Sequence, residues 1–247
     1  MIDNKANELV AKFVRAKIQE EVEDSSVADL LTPTDHPFGS KRVPLESGYY
    51  KSYNRENVQL VDLKKTPIEE FTEKGIRTSR EEYEFHLIIF ATGFDAVTGA
   101  MNKIDIRGLD NISLKEKWRN GPRTFLGLTT VGFPNMFISG GPHNAASFCN
   151  VPRCLEYNVE WITDCIEYIL SNGYSKVDAR AEAESEWTAH VLEGAEETLF
   201  TDTQSWFMGS NIPGKKRQFL NYIGGIPTFQ ERCNQVASDK YSAFDLS

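Results

Sequence analysis

Apolar residues recur every three or four positions over residues 4–22, at Val10, Phe13, Val14, Ile18 and Val22, and this spacing predicts an amphipathic helix. Ser26 with Asp29 reads as a capping box that opens a short second helix through Leu31, and Pro33 and Pro37 end helical structure. Residues 32–56 then carry neither period. A loop this long is functional or disordered, and Tyr49, Tyr50 and Tyr53 argue for order. Residues 58–63 predict a strand, and 68–71 with 75–77 a hairpin about Thr72-Glu73-Lys74. The unbroken apolar run FHLIIF at 85–90 predicts a strand buried on both faces of an α/β sheet. Residues 123–140 predict two more short strands around the Gly-Phe-Pro-Asn turn at 132–135. A helix is predicted over 153–170, with Leu155, Val159, Ile162, Ile166 and Ile169 inward and Asn172-Gly173 closing it. A charged helix over 176–197 turns Trp187 and Val191 inward, and a second polar–aromatic loop, SWFMGSNIPGKKRQF, begins at Ser205. No repeat or low-complexity segment interrupts this order.

The chain has 247 residues, enough for one large domain or two small ones with a sizeable core. It is 40% apolar and 26% charged, as in ordinary globular proteins, and its net charge is −9. That acidity argues against nucleic acid as a partner, and against anionic membrane surfaces. No apolar run is long enough for a membrane-spanning helix, and the first residues have no signal-peptide core. Cys149, Cys154, Cys165 and Cys233 form no CxxC pair and have no histidine at zinc-ligand spacing, so no metal site is expected. They read as reduced, mostly buried thiols of a cytoplasmic protein. The chain starts inside an amphipathic pattern, as if something once preceded it.

The strand end Phe90-Ala91-Thr92-Gly93-Phe94 is the first candidate for chemistry. A glycine there lets backbone approach a ligand closely, and ligands of open α/β sheets sit at the carboxyl ends of strands. Three segments, taken in order, carry a resemblance. They are His36-Pro37-Phe38-Gly39-Ser40-Lys41-Arg42; Phe90–Gly99 continuing through IDIRG at 104–108 and LKEKW at 114–118; and Ser205-Trp206-Phe207-Met208-Gly209-Ser210-Asn211-Ile212-Pro213-Gly214-Lys215. Together they resemble the C-terminal half of the type I Baeyer–Villiger monooxygenases, the group of cyclohexanone, phenylacetone and steroid monooxygenases. The similarity covers nearly the whole chain.

The resemblance implies an α/β flavoprotein built on two dinucleotide-binding domains with incomplete Rossmann-like sheets. Its parts here would be a helical segment (1–31), the end of the NADPH-binding domain (32–94) and the end of the FAD-binding domain (95–247). It implies FAD and NADPH as cofactors and a small-molecule ketone, converted with O2 to an ester or lactone. Arg42 matches the family arginine that steadies an anionic flavin–oxygen adduct, a task suited to a permanently charged group with several donors. Lys41 matches a neighbour that contacts NADPH phosphate, and Thr92 and Gly93 belong to the cofactor-binding strand end. Trp206 matches a loop tryptophan near nicotinamide and substrate, Val151 lies against the flavin, and Ala146, Ser147 and Phe148 face the ketone. His143 is more naturally a local hydrogen-bonding residue than an acid or base.

The family's two glycine-rich fingerprints are missing, since Gly140-Gly141 and Gly224-Gly225 lack the spacing. The expectation is therefore a fragment that is inactive without an N-terminal half supplied in trans. A non-catalytic fold remnant serving as a binding module is the competing reading, with a nitrogen- or sulfur-oxidising flavin monooxygenase third.

Overall fold

In the computed structural model, which describes residues 2–247, the chain forms two units, Asn4–Gly93 and Phe94–Ser247, with residues 2–3 grouped with the second.

The first unit opens with α1 (Asn4–Glu21) and α2 (Ser25–Leu31). Ile18 and Val22 are buried, while Val10 and Phe13 stay exposed, so only the later half of the expected stripe packs. The cap of α2 is Asp24, not Ser26: its carboxylate accepts the Ser26 N–H at 2.8 Å and the Val27 N–H at 3.3 Å, as an N-cap side chain does. A single helical turn, α3 (Tyr49–Ser52), lies in the long loop. β1 (Ile68–Phe71), β2 (Gly75–Thr78) and β3 (Glu82–Glu84) make an antiparallel sheet in that order, with Phe71 opposite Ile76 and Ile76 opposite Tyr83. The expected hairpin is present.

Two expected strands are not. Residues 58–63 and 85–90 carry no ladder pairing. A strand needs partners for its N–H and C=O groups, and beyond one bond from the Phe85 N–H to the Lys74 carbonyl at 2.9 Å no neighbouring strand supplies them. Phe85, Leu87, Ile89 and Phe90 are therefore exposed rather than buried, and Phe94 beyond them is 88% exposed.

The second unit begins with 3-10 turns at Met101–Lys103 and Leu109–Asn111 and the short α4 (Leu114–Lys117). Residues 123–140 fold as turns joined by one bridge, Phe125 to Thr129, in place of two expected strands. After a 3-10 turn at Ala145–Phe148 comes α5 (Val151–Ser171), capped by the Asn150 side chain. Its buried face is Cys154, Asn158, Trp161, Cys165 and Ile169, rotated about one position from the expected stripe. Val159, Ile166 and Leu170 are exposed. β4 (Val177–Ala179) takes the start of the expected charged helix, α6 (Ala181–Glu196) its remainder, and α7 (Gly225–Ser238) with β5 (Phe244–Leu246) completes the unit. β4 and β5 pair antiparallel. α5, α6 and α7 share a core of Trp161, Trp187, Val191, Phe229, Cys233, Tyr241 and Phe244, with the Trp161 indole donating to the Cys233 carbonyl at 2.9 Å.

The mixed helix-and-sheet class is borne out, with small antiparallel sheets. Among the described residues no helix is long and apolar enough to cross a membrane. Of the four cysteines, Cys149 and Cys154 lie side by side at the start of α5. Cys149 ends the 3-10 turn and Cys154 lies in the first turn of α5, which places their Cα atoms 6.6 Å apart, within bridging range. Cys165 and Cys233 are buried thiols, and burial pushes both up to about 12.

Candidate functional site

In the first unit, α1 holds the 33–42 loop at two points. Asn7 donates to the Phe38 carbonyl at 2.8 Å and accepts the Phe38 N–H at 3.0 Å, and Arg15 Nε donates to the Pro33 carbonyl at 2.8 Å. Gly39 takes a left-handed φ of 82°, and the buried Ser40 folds back on the Pro37 carbonyl. This tight turn presents Lys41 and Arg42. Both line a small cavity of about 150 Å³ with Val14, His36 and Phe38. Arg42 is exposed, and Lys41 lies 3.9 Å from Asp35. The hydrogen bond from His36 holds the Asp35 carboxyl below the usual carboxylate range, and Lys41 and Lys64 act in the same sense against partial desolvation. Thr92 and Gly93 are exposed. Gly93 has a φ of 90° and no atom within 4 Å of where a Cβ would stand, so its outer side is open to a close approach.

In the second unit, two of the sequence motifs meet. Asn211 donates to the Phe94 carbonyl at 3.1 Å, and Lys215 reaches the Asp95 carboxylate at 2.5 Å and the Ala96 carbonyl at 3.0 Å. The tryptophan loop is thus latched to the end of the glycine turn. Ser205 and Ser210 close the loop on itself. Within it Trp206, half-buried, stacks on Phe207 with ring centres 4.0 Å apart. Phe207 also meets Phe148 at 5.4 Å in a stacked arrangement and Phe200 at 5.0 Å edge-on, the offset and T-shaped geometries aromatic pairs prefer. One buried phenyl ring therefore joins Trp206 to the 146–148 segment. Ala146 is buried, Ser147 half-buried and Phe148 38% exposed. Gly127, at a φ of 63°, allows this segment to approach, since a Cβ there would stand 2.6 Å from the Asn144 nitrogen. Val151 is exposed at the first position of α5, followed by Pro152.

His143 is fully buried. Its Nδ1 lies 3.2 Å from the Thr124 hydroxyl and its Nε2 3.2 Å from the Gln218 amide. Thr124 passes its own proton to the Pro142 carbonyl, so the fitting tautomer carries the hydrogen on Nδ1 and accepts from Gln218 on Nε2. Burial drives the imidazole down to about 4. The ring stays neutral and holds structure, as expected from the sequence. Unfolded, it takes a proton near 6.5. The stabilisation is therefore complete above pH 6.5 and is lost as pH falls toward 4. This histidine alone should account for about 2 kcal/mol of lost stability between pH 7 and pH 5. Urea midpoints at the two values, for the chain and for His143→Gln, measure it; an equal pH slope in both would refute the assignment.

Asp95, Asn211 and Lys215 lie inside the motifs, yet sequence alone gives them no contact to one another. Nor does it show what Phe207 packs against. The usable signal was that a loop lysine and an aspartate beside a glycine turn are natural partners for a latch.

No protein-family model matches the chain. Among curated proteins it is 42% identical, over all of its length, to 46% of the 2-oxo-Δ3-4,5,5-trimethylcyclopentenylacetyl-CoA monooxygenase of Pseudomonas putida. It is 41% identical, over 96% of its length, to 43% of a Baeyer–Villiger monooxygenase of Pseudooceanicola batsensis. The crystal structure of OTEMO in complex with FAD and NADP superposes on the whole chain with a TM-score of 0.96 at 43% identity, matching 46% of that structure's chain. The fold is accordingly that of the flavoprotein monooxygenases. Along its whole length the chain is similar to Baeyer–Villiger monooxygenases, and it spans about half the length of the relatives it matches.

Proposed function

We propose that the chain is the C-terminal half of an FAD- and NADPH-dependent Baeyer–Villiger monooxygenase, which inserts one oxygen atom of O2 into a small ketone to give an ester or lactone. The remainder of the machinery would come from an N-terminal half acting with it, in the cytoplasm. The observation that carries this reading is identity of about 40% along the entire chain to monooxygenases twice its size, with the tryptophan loop latched to the glycine turn. The surface supports the second half. The apolar run at 85–94 and the outer stripe of α5 are exposed, and contiguous apolar patches on soluble proteins mark interaction sites.

Each unit, taken by itself, leaves one of the expected flavin contacts open. Gly93 leaves open space for the flavin and Val151 is exposed for contact, while the phosphate-cradling glycine fingerprints are not in this sequence. FAD would supply oxygen activation and NADPH the reducing electrons. Arg42 would place a fixed positive charge where negative charge builds on the transferred oxygen, and Lys41 would hold the phosphate end of NADPH. Trp206 would cover the nicotinamide side with its ring, offer its N–H as a donor, and help exclude water. Ala146, Ser147 and Phe148 would shape the ketone pocket, with Thr92 and Gly93 against the cofactor.

The test is co-expression with the N-terminal half of a relative, then a flavin absorbance scan and ketone-dependent NADPH oxidation. Arg42→Ala is expected to lower kcat by roughly a hundredfold or more, the scale of losing an electrostatic stabiliser, with flavin retained. Lysine at this position should not restore the rate, because it lacks the planar fork of donors. Bound flavin with no ketone-dependent oxidation would remove the catalytic reading and leave a fold remnant that binds without redox chemistry.

A further inference from the structure

The whole chain carries a net charge of −9, yet one cavity of the second unit is strongly basic. It encloses about 490 Å³, and its walls include Lys103, Lys115, Arg119, Lys215 and Lys216 against the single carboxylate of Asp95. Lys215 is spent on Asp95. Among the described residues the other four side chains make no ion pair. Four like charges sharing one concavity repel one another, and such a basin concentrates anions.

The floor of the cavity adds a second kind of evidence. Thr98 lines it, is 2% exposed, and its hydroxyl has no hydrogen-bond partner. The side-chain oxygen of Asn102, also in the wall, is buried and unpartnered. Buried polar atoms are nearly always satisfied, and an orphan among them asks for an explanation. Immediately before Thr98, Val97 holds a φ of 66°, a conformation that costs a β-branched residue energy and persists where the surroundings enforce it.

We propose that this cavity binds a phosphate-bearing polyanion, with Lys103, Lys115, Arg119 and Lys216 neutralising its charge and the Thr98 hydroxyl donating to a phosphate oxygen. Several cations around one basin suit a ligand with more than one phosphate charge better than a single carboxylate. The site is separate in its chemistry from the oxygen-transfer reading and does not depend on it. Two sources share this chemistry: a free inorganic polyphosphate, or the phosphorylated nucleotide handle of a larger metabolite.

The test is calorimetric titration of the chain with inorganic pyrophosphate and, separately, with adenosine 3′,5′-bisphosphate, at about 50 mM salt where surface charge is weakly screened. If the chain purifies only with its other half, the same titration is run on that complex. Binding of either probe is expected. Clearly tighter binding of the bisphosphate identifies the nucleotide handle, and tighter pyrophosphate binding the free anion. Lys115→Glu with Arg119→Glu should weaken binding by roughly tenfold or more. Lys12→Glu with Lys240→Glu changes net charge equally but lies outside the cavity, and should leave it nearly unchanged. Thr98→Val should weaken pyrophosphate binding several-fold while keeping or raising the unfolding midpoint, which a purely structural hydroxyl would not do. The proposal is overturned if neither probe binds, or if the control pair weakens binding as much as the cavity pair.

Discussion

Replacing Glu184 with alanine should lower the unfolding free energy of the Phe94–Ser247 unit by about 3–5 kcal/mol, the cost of breaking a buried charge network. Glu184 is 3% exposed in the first turn of α6, where the helix dipole favours a negative group. One oxygen accepts the Thr130 hydroxyl at 2.9 Å and the Val131 N–H at 2.8 Å; the other meets Lys117 at 3.1 Å and Arg123 at 3.4 Å. The single carboxylate thus ties α6 to the end of α4 and to the 123–131 turns, a stretch with almost no ladder pairing of its own. Alanine leaves a backbone N–H and a largely covered lysine without their acceptor, while the Thr130 hydroxyl keeps the Arg123 carbonyl at 2.8 Å. Glutamine keeps one acceptor and should cost about half as much. Urea unfolding followed by circular dichroism measures the change. A shift of less than about 1 kcal/mol for alanine would mean that water replaces the carboxylate freely.

Phe207→Ala should cost a similar amount, about 3–5 kcal/mol for a buried aromatic cut to a methyl. Phe207 is 2% exposed and lies at the centre of Phe148, Phe200 and Trp206. Its loss also frees the tryptophan, because Trp206 stacks on that ring. Trp118, Trp161 and Trp187 are buried, so a rise in acrylamide quenching of the intrinsic fluorescence would report Trp206. Destabilisation without increased quenching would mean that the latch of Asn211 and Lys215 alone positions the indole.

The helices were legible because their information is local. Positions 4–22 and 153–170 announce themselves by period, and both form. The inward face of α5 was misjudged because the helix is apolar on two sides, and Cys154, Asn158, Trp161 and Cys165 outcompete Val159 and Ile166 for the core. α7 keeps Ile226, Phe229, Cys233 and Val236 at helical spacing, but Gly224-Gly225 and Pro227 mask its start, although proline is tolerated in a first turn. Strands fail for a physical reason: their hydrogen bonds come from elsewhere in the chain, so 85–90 has strand composition without a partner strand among the described residues. The site residues were named from motif resemblance, whereas the Lys215–Asp95 contact spans 120 residues and is visible only once the chain is folded.

The bare stretch from Phe85 to Phe90 has a practical meaning for anyone handling this polypeptide by itself. FHLIIF has no proline, no glycine and no permanently charged side chain, the composition of segments that stack into cross-β arrays. Two molecules meeting through it can zip edge to edge, each completing the other's ladder. Working concentration then sets the useful lifetime of a solution, and a lysine introduced at Leu87 or Ile89 is the natural gatekeeper to lengthen it.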